Sequence, residues 1–426
     1  MTVQLRAATA DPLSATKSAP LEGIRVVDIT TVMMGPYATL QLAEMGADVI
    51  KVEAPDGDSM RSVGPMRSPG MGPLFLHANR GKRSIAVDLK CEDGRDIITK
   101  LVARADVFVS NIRAAALARL GLDYDTLSRL NPKLIYATSN GFGAGGEYEG
   151  RPAYDDLIQG LAGVPELAAR ASGDGIPRYA PIVMADRVTG LMLANGILAA
   201  LVGRATTGRG RSLDVPMFEA TTHMVMGDHL GGLTFDPPIG PSGYSRLLVA
   251  NRRPYKTKDG HICAVIYTNA HWKAFLELDG DGDLYRRDPR FCNLEERTKH
   301  IGELYAMVAE RMLGRTSAEW LRLLTKADIP AAPMHTPESL LNDPHLKAVG
   351  FFERSEDQTD GDVIQMRHPC RISDMPVRRV TQAPRLGANT KAILREIGYA
   401  DDVIDRLVAE GRVLEKPRIE VKQCLI

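Results

Sequence analysis

The spacing of hydrophobic and polar positions changes repeatedly along the chain, and each change marks an element. The run GIRVVDIT (residues 23–30) is β-branched, almost uninterrupted and bounded by turn residues, which predicts a buried strand. Gly35 and Pro36 open the next segment. There Leu40, Leu42, Ala43 and Met45 mark the apolar side of a helix, with proline in its first turn and Gly46 at its end. ADVIKVE (47–53) then reads as a second strand, so this stretch forms a βαβ unit with parallel strands and a right-handed crossover. Further strands are predicted at 83–89, 106–110 and 134–138, with helical spacing over 94–105 and two short helices before the last of them. Strands alternating with helices predict a large doubly wound, Rossmann-like parallel-sheet domain. Such sheets bind ligands beyond the carboxyl ends of their strands, where the strand order switches.

The most apolar stretch is LMLANGILAALV (191–202). A bilayer-spanning helix needs about 20 such residues, so the run predicts a buried core helix instead. It follows PIVMADRVTG (181–190), which places Asp186 where a loop becomes a helix. That is the usual position of an N-cap, whose side chain accepts a backbone N–H. The same position also presents a carboxylate for chemistry, and the local pattern leaves both readings open. RSLDV (211–215) is strand-like, and a second helix is predicted from Pro216.

Beyond Pro237 the texture changes. DPPIGPSGY (236–244) is a breaker-rich linker, and 254–266 reads as a hairpin turning at Asp259 and Gly260. Amphipathic helices follow at 270–278, 294–313 and 317–326, then strand-like segments at 351–354 and 363–366 and a helical region over 389–410. The expected organisation is a flexible extension over 1–20, a large α/β domain over 21–230, and a linker over 231–250. A smaller α+β domain follows over 251–333, and 334–426 forms a linker and a part returning to the large domain.

Composition narrows the function classes. The 53 basic and 53 acidic residues cancel, so no global field favours nucleic acid or an anionic membrane. A hydrophobic content of 44% and a charged content of 25% are ordinary for a soluble globular chain, and 426 residues suggest roughly two or three domains. The five cysteines are scattered without a CxxC pair, which argues against a disulfide framework or a zinc site and for a reducing, cytoplasmic compartment. Residues 1–20 lack the apolar core of a signal peptide, and Cys424 stands third from the end, where the prenylation pattern does not fit.

The candidate chemistry starts with an exclusion. Glu53 ends the second strand where a ribose-binding acid would stand, but the turn after the first strand reads MMGPY and carries no GxGxxG fingerprint. A nicotinamide or flavin enzyme is therefore disfavoured. The loops around the strand ends are instead rich in cations. They include Arg61, the run NRGKR (79–83) with Lys82 and Arg83, and then Asn111, Arg113 and Arg119. Cations near loop amides hold phosphate groups, although a Lys/Arg run is also what a solvated turn looks like. The glycine-rich stretch GFGAGGEYEGRPAYDDL (141–157), with Arg151 and Tyr154, either lets backbone approach a ligand or forms a long surface turn.

Taken together, several stretches resemble the class III coenzyme A transferases, the family that includes formyl-CoA transferase, carnitine CoA-transferase and 2-methylacyl-CoA racemase. They are LEGIRVVDIT, GPYATLQLAEMGADVIKVEAP, NRGKRSIAVDLK, ADVFVSNI with LARLGL, NPKLIYATSNGFG, GRPAYDDLIQGLAG, ADRVTG, TGRGRSLDV and APRLGANTKAILREIGY. The resemblance covers nearly the whole chain after the first twenty residues and is weaker in the small domain. It implies an interlocked homodimer, no permanently bound cofactor and no metal, and a coenzyme A thioester as substrate. It places the catalytic carboxylate on Asp186 and implies covalent transfer through aspartyl anhydride and thioester intermediates. A carboxylate suits that role because it is ionised at neutral pH, and a helix N-terminus offers amides to developing oxyanions.

By the same resemblance Lys82, Arg83, Asn111 and Arg119 match CoA-binding positions, and Tyr154 lies near the reacting centre. Arg61 and Arg151 complete the candidate set. Two departures bear on the acceptor. Met33 replaces a glutamine that formyl-CoA transferase carries, and LLVANRR (247–253) stands where that enzyme has a mobile glycine run. Oxalate is thus disfavoured as acceptor, and Arg252 and Arg253 are alternative partners for an acceptor carboxylate. A third departure bears on the reaction. The racemase branch uses the histidine of a Gly-His-Asp run, which here reads Ala153, Tyr154, Asp155. A tyrosine with a pKa of about 10 is a poor base at neutral pH, where histidine at about 6.5 is well placed. Transfer is therefore favoured over α-carbon isomerisation. A non-catalytic CoA-ester binding protein is the remaining alternative.

Overall fold

The structure is a computed structural model that describes residues 18–355, 361–373 and 381–416. Most of the expected extension and the Cys424 terminus lie outside the described residues. In chain order the strands are β1 (Arg25–Asp28), β2 (Asp48–Glu53), β3 (Arg83–Val87), β4 (Val107–Ser110), β5 (Ile135–Thr138) and β6 (Arg211–Asp214). They continue with β7 (Tyr255–Lys256), β8 (His261–Ala264), β9 (Ala331–Pro333), β10 (Phe352–Ser355), β11 (Val363–Met366) and β12 (Val413–Leu414). Seven of these form one mostly parallel sheet in the order β12-β3-β2-β1-β4-β5-β6. Strands β3, β2, β1 and β4 run parallel, with Val27 opposite both Ile50 and Phe108. This is the doubly wound order, and its switch point lies between β1 and β4.

The strands at the switch are short and apolar because both faces are covered. All four residues of β4 are buried. On one side the helix Glu92–Val102 buries Ile97, Ile98, Leu101 and Val102, with Cys91 at its N-cap accepting from the Gly94 amide. The expected helical region at 389–410 is two helices, Thr390–Glu396 and Asp401–Ala409, divided at Gly398, whose φ of 96° ends the first. Their Ile393, Leu394, Ile404 and Leu407 enter the same core as Val27, Ile50 and Phe108. The two-residue β12, which pairs antiparallel with β3, is too short to leave an alternation in the sequence.

The chain divides into two compact units: Met1–Ala137, Ala194–Leu213 and Glu353–Ile426 in one, and Thr138–Leu193 and Asp214–Phe352 in the other. The second contains the antiparallel sheet β7-β8-β9. The predicted hairpin is its first half, and the Asp259 carboxylate at the turn accepts from the Ser317 amide at 2.8 Å. Trp272, Phe275, Leu304, Val308, Trp320 and Leu324 form a separate core behind this sheet. The helix Ser317–Lys326 starts with a reciprocal capping box between Thr316 and Glu319.

One expectation is corrected. The apolar run is part of a helix over Met184–Thr207, but only one stripe of that helix is covered. Leu193, Ala194, Ile197 and Ala200 are buried, whereas Leu191 and Val202 are 45% and 71% exposed. Asn195 and Ala199 lie on the same open face. The run looked like a core helix because apolar residues occupy all sides, and periodicity alone does not show what covers them.

Candidate active site

Asp186 is the third residue of the helix Met184–Thr207 and is 9% exposed. It is not the N-cap that the sequence pattern suggested, because the helix starts earlier and the Arg187 amide already donates to Val183 O at 3.1 Å. The Asp186 amide is one of the first-turn N–H groups that lack an intrahelical acceptor. It donates to Asp155 Oδ1 at 2.9 Å. Asp155 opens the neighbouring helix Asp155–Leu161 and is itself buried. Its other oxygen, Oδ2, accepts from Gln159 Nε2 at 2.6 Å. Gln159, with no exposed surface, also accepts from the Ala180 amide at 2.8 Å and donates to Ile182 O at 3.3 Å. One turn of helix thus holds both the strap leading to Asp186 and the residue itself.

The glycine-rich loop feeds this arrangement. The Gly143 amide donates to Glu219 Oε1 at 2.9 Å, and the Gly145 amide to Glu149 Oε2 at 2.8 Å. Phe142, Tyr148 and Phe218 pack around it, with ring centroids 5.4 to 6.4 Å apart. A Cβ at Gly141 would stand 2.2 Å from the Ala153 side chain, so the loop closes onto the start of the Asp155 helix only with glycine there. Tyr154 caps that helix without a side-chain bond and is 72% exposed. Arg151 stacks over Tyr148 at 4.5 Å and pairs with Glu147 at 3.4 Å, both on the surface. Asp186, Tyr154 and Arg151 therefore share one unit. Lys82, Arg83, Asn111, Arg119 and Arg61 belong to the other.

Among those five, the side chains have sharply different surroundings. Lys82 is wholly buried, and its ammonium donates to Asp28 Oδ2 at 3.1 Å, Pro36 O at 2.9 Å and Asn79 Oδ1 at 2.8 Å. Three donors are three bonds, so none is left for a phosphate. Arg61 clamps Glu53 with two bonds of 2.7 Å, donates to the carbonyls of Gly70 and Pro384, and lies 3.7 Å over Phe75. Glu53, which looked like a ribose ligand, is consumed by this clamp and by Ser84 Oγ at 2.9 Å. Arg83 grips Asp48 at 2.7 and 2.8 Å and Glu396 at 2.6 Å, reaching back to the residue that starts β2.

Lys82, Arg61 and Glu53 belong to a buried network at the carboxyl ends of β1 and β2. Lys51 donates to Asp58 at 3.0 Å and to Thr30 O at 2.9 Å, with no exposure on either charged side chain. Burial raises the Asp28 pKa, but Lys82 and Lys51, with the Thr30 and Thr39 hydroxyls, outweigh it and hold the carboxyl at about 2. Burial pushes Lys82 down to about 8 against the pull of Asp28. Lys51 is raised, since Asp28, Asp58 and Glu53 together overcome its desolvation.

The network also shapes the turn at the switch point. Val32 has φ of 71°, a left-handed conformation that β-branched residues avoid. The Asp58 carboxylate holds it there by accepting its amide at 3.2 Å. Asn111, after β4, clips the adjacent Thr31 by accepting its N–H at 3.0 Å and donating to its carbonyl at 2.8 Å. A Cβ at Gly35 would stand 2.3 Å from Thr30, so this turn also requires glycine. Arg119, in the last turn of the helix Ala114–Leu120, is exposed, and no carboxylate pairs with it among the described residues. Sequence reading missed Asp58, Asp155 and Gln159. The i,i+4 spacing of Asp155 and Gln159 was the available signal, but it has no meaning until a partner N–H is known. Among the described residues no cluster of His, Cys, Asp and Glu could hold a metal ion.

Comparison with known proteins adds an independent line. The family model described as CoA-transferase family III matches residues 21–390. The succinate–glutarate CoA-transferase of Agrobacterium fabrum is 32% identical over 386 residues, covering 89% of this chain and 96% of that protein. The formyl-CoA:oxalate CoA-transferase of Rhodopseudomonas palustris is 31% identical, covering 93% and 98%. A CAIB/BAIF family protein from Brucella suis superposes with a TM-score of 0.76 at 32% identity, over 89% of this chain and 100% of that one.

Proposed function

The chain belongs to CoA-transferase family III, and on that premise we propose that it carries CoA from a donor acyl-CoA to a small carboxylic acid through Asp186. The observation that carries the role of Asp186 is its anchoring in the first turn of a helix through its own amide, at 9% exposure. The Asp186 carboxylate attacks the donor thioester carbonyl. The C–S bond breaks, leaving a mixed anhydride and the CoA thiolate. The thiolate attacks the Asp186 carbonyl of the anhydride, expelling the donor acid as its carboxylate and leaving an aspartyl-CoA thioester. The acceptor carboxylate attacks that thioester and again releases thiolate. The thiolate finally attacks the acceptor carbonyl of the new anhydride, giving the product thioester and regenerating Asp186.

Every nucleophile in this sequence is an anion, so no step requires a general base. Tyr154 in place of histidine therefore costs the transfer reaction nothing, while it removes a base that α-carbon isomerisation needs. The positive end of the helix dipole at this first turn favours each tetrahedral oxyanion. Of the cations chosen from sequence, we assign Arg119 to the CoA phosphates, because it is exposed and unpaired by carboxylates among the described residues. Lys82, Arg61 and Arg83 hold the surrounding structure through the bonds already described.

We further propose a smaller α+β domain around β7-β8-β9 and an interlocked homodimer, supported by the open apolar face of Leu191, Ala199 and Val202. The free Cys91, Cys263, Cys292 and Cys370 suit a cytoplasmic setting. The dimer would not survive sedimentation that shows a stable monomer.

The test of function is a screen of succinyl-CoA and acetyl-CoA donors against mono- and dicarboxylic acids, including the succinate, glutarate and oxalate named for the relatives. Products are read by mass spectrometry. New acyl-CoA formed only with an acceptor, and lost in Asp186→Ala, is the expected result. Solvent deuterium entering C2 of the donor without an acceptor would replace transfer with isomerisation.

A further inference from the structure

From the bonds behind Asp186 we infer that Asp155 is a positioning residue for the reaction, and that it works through two oxygens that both accept. The inference rests on the reading of Asp186 as nucleophile. Its basis is the direction of the hydrogen bonds. The Ala180 amide donates to Gln159 Oε1, Gln159 Nε2 donates to Asp155 Oδ2, and the Asp186 amide donates to Asp155 Oδ1. Asp155 thus receives an N–H on each oxygen. An asparagine would replace one of those oxygens with a donor and set it against another N–H.

Flipping Gln159 does not rescue such a change, because its Nε2 would then face the Ala180 amide. With glutamine at 159 the four groups have one consistent assignment, and it requires both Asp155 oxygens to accept. The same assignment separates two neighbouring carboxylates by task. Asp155 is 8% exposed with both oxygens occupied, so it neither attacks the thioester nor moves a proton. It fixes the Asp186 backbone from behind while Gln159 fixes the strap at Ala180 and Ile182. The Asp186 carboxylate is thereby aimed by its main chain.

Misplacing a reacting group by about 1 Å costs on the order of a hundredfold in rate. The experiment is single-turnover formation of the aspartyl-CoA adduct, followed by intact mass after mixing enzyme with a donor that the wild type accepts. Asp155→Ala and Asp155→Asn are expected to slow adduct formation by about a hundredfold, with the KM for donor changed by less than about threefold. The decisive variant combines Asp155→Asn with Gln159→Glu. The introduced asparagine then accepts the Asp186 amide and donates to the introduced glutamate, which still accepts the Ala180 amide. The charge thus moves to position 159, and every bond of the network except the one to Ile182 O is restored. Recovery to within about tenfold of wild type supports positioning.

Adduct formation at wild-type rate in Asp155→Ala would reject the role while leaving Asp186 as nucleophile. A double variant that is folded by thermal melting, binds donor normally and reacts as slowly as Asp155→Asn would also reject it. A wild type that turns over without ever carrying CoA on Asp186 would remove both readings.

Discussion

Two places in the molecule use aspartate in opposite ways. At the carboxyl ends of β1 and β2, Asp28, Glu53 and Asp58 face Lys51, Arg61 and Lys82, and the charges cancel inside a sealed network. Each of those carboxylates is fixed by what its oxygens accept. Asp186 is fixed through what its amide donates, and the carboxylate that accepts it belongs to Asp155. A carboxylate can be fixed through its oxygens or through its own main chain. One held through its backbone keeps its aim even when its oxygens change partners. Counting charged residues near a strand end does not separate these cases; the direction of each hydrogen bond does.

The comparison breaks most severely at Asp186. On the proposed mechanism Asp186→Ala removes the nucleophile and should lower turnover by at least about a thousandfold, while stability falls by no more than about 1 kcal/mol. Steady-state kinetics beside thermal melting checks both halves. Lys82→Met inverts the pattern. It strands Asp28 in the core and should cost about 3–5 kcal/mol of stability, seen as a fall in denaturation midpoint, with kcat per folded molecule nearly preserved. An activity loss as deep as that of Asp186→Ala would mean that Lys82 serves the reaction as well as the fold.

Acid sharpens the contrast further. Asp28 has its pKa lowered from 3.8 to about 2, so its stabilisation is complete above the unfolded value and disappears as pH falls through the folded one. That difference corresponds to roughly 2 kcal/mol lost between about pH 5 and pH 1. The slope of unfolding free energy against pH in that window should flatten in Asp28→Asn. The smallest stability effect belongs to Arg119→Ala. It should leave stability within about 0.5 kcal/mol and raise the KM for acyl-CoA severalfold, the signature of lost uniform binding.

The parallel core was legible because its strands are continuous apolar runs between turn residues, as in GIRVVDIT and ADVIKVE. Asp186 was legible as a special carboxylate at a loop-to-helix junction, though its cap role was misassigned by where the helix starts. Lys82 and Arg61 stand out in the sequence as loop cations, because sequence shows charge but not pairing. Their partners lie up to 323 positions away, as for Arg61 and Pro384, and no local pattern announces them. Asp155 was visible only as the residue beside Tyr154. Its meaning depends on an amide 31 positions later.

The left-handed Val32 sets two selective pressures against each other. A β-branched residue in that conformation costs on the order of 1–3 kcal/mol, and the Asp58 carboxylate keeps it there. Directed evolution for heat resistance would find glycine at this position attractive. Directed evolution for turnover would defend the shape of the switch-point turn that Asp58 and Asn111 hold. Libraries screened by one criterion alone should therefore drift apart at residue 32, which makes it a marker of whether a variant was chosen for endurance or for speed.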